Sequence, residues 1–136
     1  MRMTRNCFLA GLLALIFLCP ALAADEEKKV LFVLVFDKTC HAWCDKVRPM
    51  VKDLQSEYTD RVEFAELDAT ANVLQETKKK AEALGVLKVF ADVTDYVPIV
   101  LIFDSRRKLF KELPGPKPAS EYKACLDKAI AKSNNG

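Results

Sequence analysis

The sequence has one histidine, an odd number of cysteines and almost no net charge. It has no apolar run of membrane-spanning length, no internal repeat and no low-complexity stretch. Each shortage excludes something. Over the whole chain 21 Lys and Arg face 19 Asp and Glu, and Arg2 and Arg5 belong to an opening segment that reads as removable. Without them the charges balance, which leaves no basic field for nucleic acid or an anionic membrane surface. The longest apolar run, Cys7 to Cys19, is about 13 residues, short of the ~20 that a spanning helix needs. Preceded by Arg2 and Arg5 and followed by Pro20-Ala21-Leu22-Ala23, it reads as a secretory signal peptide over 1–23, cleaved after Ala23. No stable membrane anchor is then expected. A lipid-bearing Cys19 is disfavoured by the bulk of Leu18 before it.

The cysteine shortage follows the same cut. Five cysteines become three: Cys40, Cys44 and Cys125. That is too few for a disulfide-framed miniprotein, and an odd number leaves at least one thiol free or paired with another chain. Export places them where disulfides persist, in a periplasmic or secreted location. About 113 residues remain, enough for one domain with a single core.

What the sequence does have is concentrated around Cys40-His41-Ala42-Trp43-Cys44. A short charged lead-in (24–29) precedes Val30 to Phe36, an unbroken apolar run that reads as a strand buried on both faces. Asp37-Lys38-Thr39 turns out of it. A helix over about 45–58 then places Val47, Met50, Val51, Leu54 and Tyr58 on one side, with Pro49 expected to kink it. The cysteines thus fall at a helix N-terminus, where unpaired backbone N–H groups and the macrodipole favour a thiolate.

Val62 to Asp68 predicts a second strand with Val62, Phe64 and Leu67 inward. Asn72 offers a cap for a helix through Leu84, with Val73, Leu74, Thr77, Ala81 and Leu84 on one side and Gly85 as its stop. Val86 to Asp95 fits a strand or a short helix equally well. Pro98 interrupts the apolar run Tyr96 to Phe103, and a central strand does not tolerate proline, so Pro98 marks its start or a special turn. Asp104 to Arg107 turns into a returning strand over 108–113, forming a hairpin. After Pro114-Gly115-Pro116-Lys117-Pro118 a last helix runs over about 119–132, with Ala119, Tyr122, Leu126, Ala129 and Ile130 inward. Residues 133–136 should fray as a disordered tail. Lys78-Lys79-Lys80 reads as a solvated helix face. The order βαβαββα, with an early parallel βαβ unit and a late hairpin, predicts an α/β fold: a mixed sheet flanked by helices.

From Val30 to Ile130 the chain resembles the thioredoxin-like superfamily. The resemblance rests on the buried strand, the cysteine pair opening a helix, Pro49 five residues after Cys44, the strand ending at Asp68, the Val97-Pro98 step, and the closing hairpin and helix. It implies that Pro98 is cis and lies beside the cysteines, and that the Val97 backbone is open to an extended substrate segment. It also implies thiol–disulfide exchange with protein thiols and disulfides and with a redox partner protein, as a monomer and without a cofactor. Four departures stand out. Three residues, not two, separate the cysteines, which should put Cys40 in the turn and Cys44 in the first helical turn. The family often buries an acid behind the cysteines, and Leu34 occupies that place here. The segment from Gly85 to Pro98 is longer than usual by about eight residues, an element of its own, and the N-terminal strand and helix of full-length thioredoxin are missing.

Exchange needs an accessible thiolate and a second thiol to resolve the mixed disulfide. Cys40 is expected as nucleophile and Cys44 as resolving thiol. His41, as imidazolium, would lower the Cys40 pKa. Trp43 would form an apolar rim for substrate, with Val97 and Pro98 beside it; Phe90 and Tyr96 either line that groove or belong to the core. Alternatives remain: a structural disulfide in a non-catalytic interaction domain, or a Cu(I) chaperone similar to the Sco type, which shares the three-residue spacing but needs a distant histidine that this chain lacks. Structural zinc would need four ligands and would have to recruit Cys125, which reads more simply as a small core residue. No metal is assigned.

Overall fold

The computed structural model describes residues 28–136; the signal peptide expected over 1–23 and the lead-in up to 27 lie outside them. The seven residues of β1 (Val30–Phe36) are all buried. Alternate side chains of a strand point to opposite faces, so β1 feeds two cores at once. Val30, Phe32, Leu34 and Phe36 face one core, and Leu31, Val33 and Val35 the other.

This double burial requires a partner strand on each side of β1 and a helical layer on each face. β2 (Val62–Asp68) pairs with β1 in parallel, Val30 opposite Val62 through Phe36 opposite Asp68. β3 (Ile99–Phe103) pairs with β1 on its other side in antiparallel fashion, and β4 (Leu109–Pro114) closes the hairpin with β3. The sheet order is β2-β1-β3-β4. One face is covered by α1 (His41–Tyr58) and α4 (Ala119–Asn134), through Val47, Val51, Leu54, Tyr122, Leu126 and Ala129. The other is covered by α2 (Leu74–Ala83) and α3 (Leu87–Val93), through Ala81, Phe90 and Val93. This is the mixed α/β, thioredoxin-like arrangement expected from the sequence, with α3 filling the segment that periodicity left open. Among the described residues no helix is long and apolar enough to cross a membrane.

Several local expectations change. α1 begins at His41, four residues before the expected start, and runs unbroken past Pro49. Asn72 does not cap α2: the N-cap is Val73, without a side-chain hydrogen bond. The reason is a turn in which the Val73 N–H donates to the Thr70 carbonyl at 3.1 Å, with Asn72 inside it. Gly85 does end α2. With φ at +76°, it lets its own N–H reach the Glu82 carbonyl and the Val86 N–H reach the Ala81 carbonyl, both at 2.9 Å. That is a Schellman motif, and it delivers buried Val86 directly into α3. Phe64 is half-buried rather than fully inward, and Ala119 is exposed at the start of α4. Where fraying was expected from Ser133, α4 continues to Asn134. There the Ser133 hydroxyl accepts the Ser105 N–H at 3.1 Å, and Arg106 donates to the Gly136 carbonyl at 2.6 Å. Lys80 is not wholly solvated: its ammonium donates to the Glu66 carbonyl on β2 at 2.9 Å.

Candidate functional site

The carboxyl end of β1 delivers the two cysteines. Leaving the sheet after Phe36, the chain turns through Asp37-Lys38-Thr39, and the Cys40 N–H closes the turn on the Asp37 carbonyl at 3.0 Å. The Asp37 carboxylate accepts the Thr39 N–H and hydroxyl, each at 2.7 Å. The turn is also tied to the end of β2. Thr70 Oγ1 accepts the Lys38 N–H at 3.0 Å and lies within hydrogen-bond distance of both Asp37 and Asp68. The Ala69 N–H donates to the Phe36 carbonyl at 2.7 Å. Lys38 Nζ stands 3.1 Å from Asp68 Oδ2 as an ion pair, outside hydrogen-bond alignment.

This network holds two carboxylates ionised. The Thr39 N–H and hydroxyl lower the Asp37 pKa. At Asp68 burial pushes upward, and the Thr70 hydroxyl and N–H together with the Lys38 ammonium more than reverse it. Asp37 is thus engaged in shaping the turn.

Cys40 is the N-cap residue of α1, half-exposed, and no side chain caps the helix. The first turn of α1 contains no acid, so the unpaired N–H groups at the start of this 18-residue helix, which Cys40 precedes, face no carboxylate from that turn. Cys44 lies one turn further in and is 2 % exposed. The expected division, Cys40 in the turn and Cys44 in the first helical turn, is the observed one. Burial raises the Cys44 pKa; the Asp37 backbone pulls it down, the neighbouring Cys40 thiol pushes it up again, and the Arg48 charge, the smallest influence, lowers it. At neutral pH Cys44 is therefore a protonated thiol. Cys40, Cys44 and Cys125 are all free.

The other sequence-predicted residues divide into two groups. Val97–Pro98 is a cis peptide bond. Trp43, Val97 and Pro98 line one groove of about 260 Å³ with Tyr96, Gly115 and Pro116. Trp43 and Tyr96 are 55 % and 68 % exposed, two of the three large apolar side chains exposed among the described residues. Phe90 takes the other course left open for it and is fully buried in the core. On either side of Val97 the backbone is bonded, Tyr96 N–H to Val93 carbonyl at 2.9 Å and Gly115 N–H to Pro98 carbonyl at 2.8 Å. His41 stands apart from the groove lining. Its exposed imidazole has Nδ1 3.9 Å from the Asp45 carboxylate, one turn along α1. Cys125 packs half-buried against the α1/α4 core. Leu34, at the place where the family often has an acid, is fully buried.

Sequence reasoning passed over Arg48 and Thr70. Thr70 carries no signal in the sequence, because its role depends on the register that brings the ends of β1 and β2 together. Arg48 carries a weak one, the i+4 spacing from Cys44 that puts both on one helix face. Among the described residues no group of three or more His, Cys, Asp or Glu side chains is arranged to hold a metal ion. Neither protein-family models nor curated proteins give a match to this chain.

Proposed function

We propose that this protein is an exported member of the thioredoxin-like superfamily that exchanges disulfides with other proteins through Cys40 and Cys44. The observation that supports this most is the pairing of a half-exposed cysteine at a helix N-cap with a buried one a turn deeper. Trp43, next to Cys44 in the sequence, lines a groove with Tyr96 and cis Pro98. In the reducing direction, the Cys40 thiolate attacks one sulfur of a substrate disulfide and the other leaves as a thiolate. The Cys44 thiol then loses its proton to solvent and attacks Cys40 Sγ. The Cys40–Cys44 bond forms, the Cys40–substrate bond breaks, and the second substrate sulfur departs with the electron pair. The dithiol is oxidised, the substrate disulfide is reduced, and the same steps in reverse oxidise a substrate dithiol. Trp43 and Tyr96 would hold apolar side chains near the substrate cysteine, and the Val97 backbone would pair with its extended chain.

The test is a glutathione redox titration of the protein lacking residues 1–23, read by thiol alkylation and mass. The expected result is a reversible two-thiol transition mapped to Cys40 and Cys44, leaving Cys125 alkylated throughout. A midpoint near ~−120 mV would make the protein an oxidant and one near ~−270 mV a reductant. A bond that resists reduction below ~−300 mV would be structural and would overturn the exchange reading in favour of a binding module. No bond at all would overturn it too, and Cu(I) loading that is lost in Cys40→Ser would then identify a metal chaperone.

A further inference from the structure

The resolving step sets a problem that the fold answers at Arg48. Cys44 must ionise to attack Cys40 Sγ, and it is 2 % exposed against an apolar core. The strand behind it presents Leu34, itself fully buried, so no carboxylate stands there to take the proton. In the turn after β1 the neighbouring group is the Asp37 backbone, and at the N-cap and on its own helix the charged and titratable neighbours are Cys40 and Arg48. Asp37 is occupied with Thr39 and Thr70. His41 is turned to the exposed Asp45. Arg48 is the cation left for the task.

The placement of Arg48 is specific. It lies one helical turn after Cys44, on the same face. Its guanidinium carbon is 4.4 Å from the centroid of the Phe36 ring, the last residue of β1 before the cysteine turn. Its Nε is buried without a hydrogen-bond partner. A buried, unpartnered donor on a charged group costs stability unless something negative is to meet it. The cation–π contact with the Phe36 ring restrains the guanidinium, so its charge acts from a set place.

We infer that Arg48 is a positioning residue for the exchange reaction, holding a fixed positive charge that stabilises the Cys44 thiolate as it forms and resolves the mixed disulfide. The inference rests on the exchange reading of the site and adds the group that makes its second step feasible without a buried acid. In the reverse reaction the same charge stabilises Cys44 as the leaving thiolate. Because Arg48 acts on Cys44, its removal should spare the first attack by Cys40 and slow the second.

Two measurements test this with Arg48→Gln and Arg48→Lys. The first mixes reduced protein with oxidised glutathione, quenches with acid and follows the Cys40–glutathione adduct by mass. Arg48→Gln should form the adduct at close to the normal rate and clear it about tenfold more slowly at neutral pH, with its pH–rate profile moved alkaline by about one unit. Arg48→Lys should restore most of the clearance. The second measurement uses Cys40→Ser, alone and combined with each Arg48 variant, and follows iodoacetamide alkylation of Cys44 against pH. It reads ionisation directly and needs no exchange activity. Arg48→Gln should move the Cys44 alkylation profile alkaline, and Arg48→Lys should not. If the folded Arg48→Gln protein, checked by circular dichroism, keeps the parent profile in both measurements, the inference is wrong. If Arg48→Gln does not fold, Arg48→Lys decides: a profile equal to the parent supports a charge role, and a profile moved as for a lost charge overturns it. Should the parent form no Cys40–Cys44 bond while its Cys44 alkylation still depends on Arg48, the exchange reading fails and the electrostatic role of Arg48 stands.

Discussion

At the scale of single residues, function and stability are served by different polar groups. Tyr58 lies 3 % exposed at the end of α1, and its hydroxyl donates to Asp127 of α4 at 2.8 Å. Burial, and then this hydrogen bond to Asp127, pushes the phenol up to about 12 from its ordinary 10.0. A raised pKa means that the folded state holds the proton more tightly. The contribution is therefore complete below pH 10 and is lost as pH rises through 12. Tyr58→Phe should cost about 1 kcal/mol at neutral pH in urea unfolding. Between pH 10 and 12 the parent should lose stability more steeply than the variant. The helical spacing marked Tyr58 as an inward residue, and Cys40, Cys44 and Pro98 were equally readable. Asp127 as its partner was not, because that pairing spans 69 positions of the chain and depends on how two helices cross. Arg48 was marked only weakly, by its spacing from Cys44, because its contact with the Phe36 ring depends on the fold.

Among the elements, the stretch from Thr70 to Val93 was the hardest to read. A seven-residue helix offers little periodicity, and α3 buries only Phe90 and Val93, three apart, within a sequence that also alternates. What selects the helix is the stop before it. Gly85, with φ at +76°, reverses the chain so that Val86 enters the core and caps α3. A methyl group at Gly85 would meet Arg107 Cγ at 3.6 Å, an ordinary contact, so the cost of Gly85→Ala lies in the backbone angle. It should destabilise the protein by about 1 kcal/mol, measured as a lower urea midpoint with an unchanged slope. At the other end of α2, the Thr70–Val73 turn displaced the Asn72 cap for a local reason. Thr70 is already tied to Asp68 and to the Lys38 N–H, so the chain leaves β2 in a fixed direction. A cap residue read from sequence assumes that the helix is free to choose its start.

For the molecule as a whole, one strand organises everything. β1 was legible because an apolar run without alternation has few uses other than a strand buried on both faces, and the order of the remaining elements then left little choice of topology. The sequence does not state which strands would be left at the margins. β2 and β4 are the outer strands, and each presents backbone groups that a neighbouring chain could extend into a larger sheet. β4 ends in Pro114 and follows a register shift at Ile102/Phe103, both of which spoil a regular edge. β2 pairs with β1 in unbroken register over seven residues, and there the ammonium of Lys80 donates to the Glu66 carbonyl. Lys80→Ala should leave the fold intact and increase light scattering on storage at high concentration, an effect that added salt would not reproduce in the parent. The lysine that looked like one of three solvent-facing charges thus occupies a backbone carbonyl of an outer strand, the kind of group that an added strand would need.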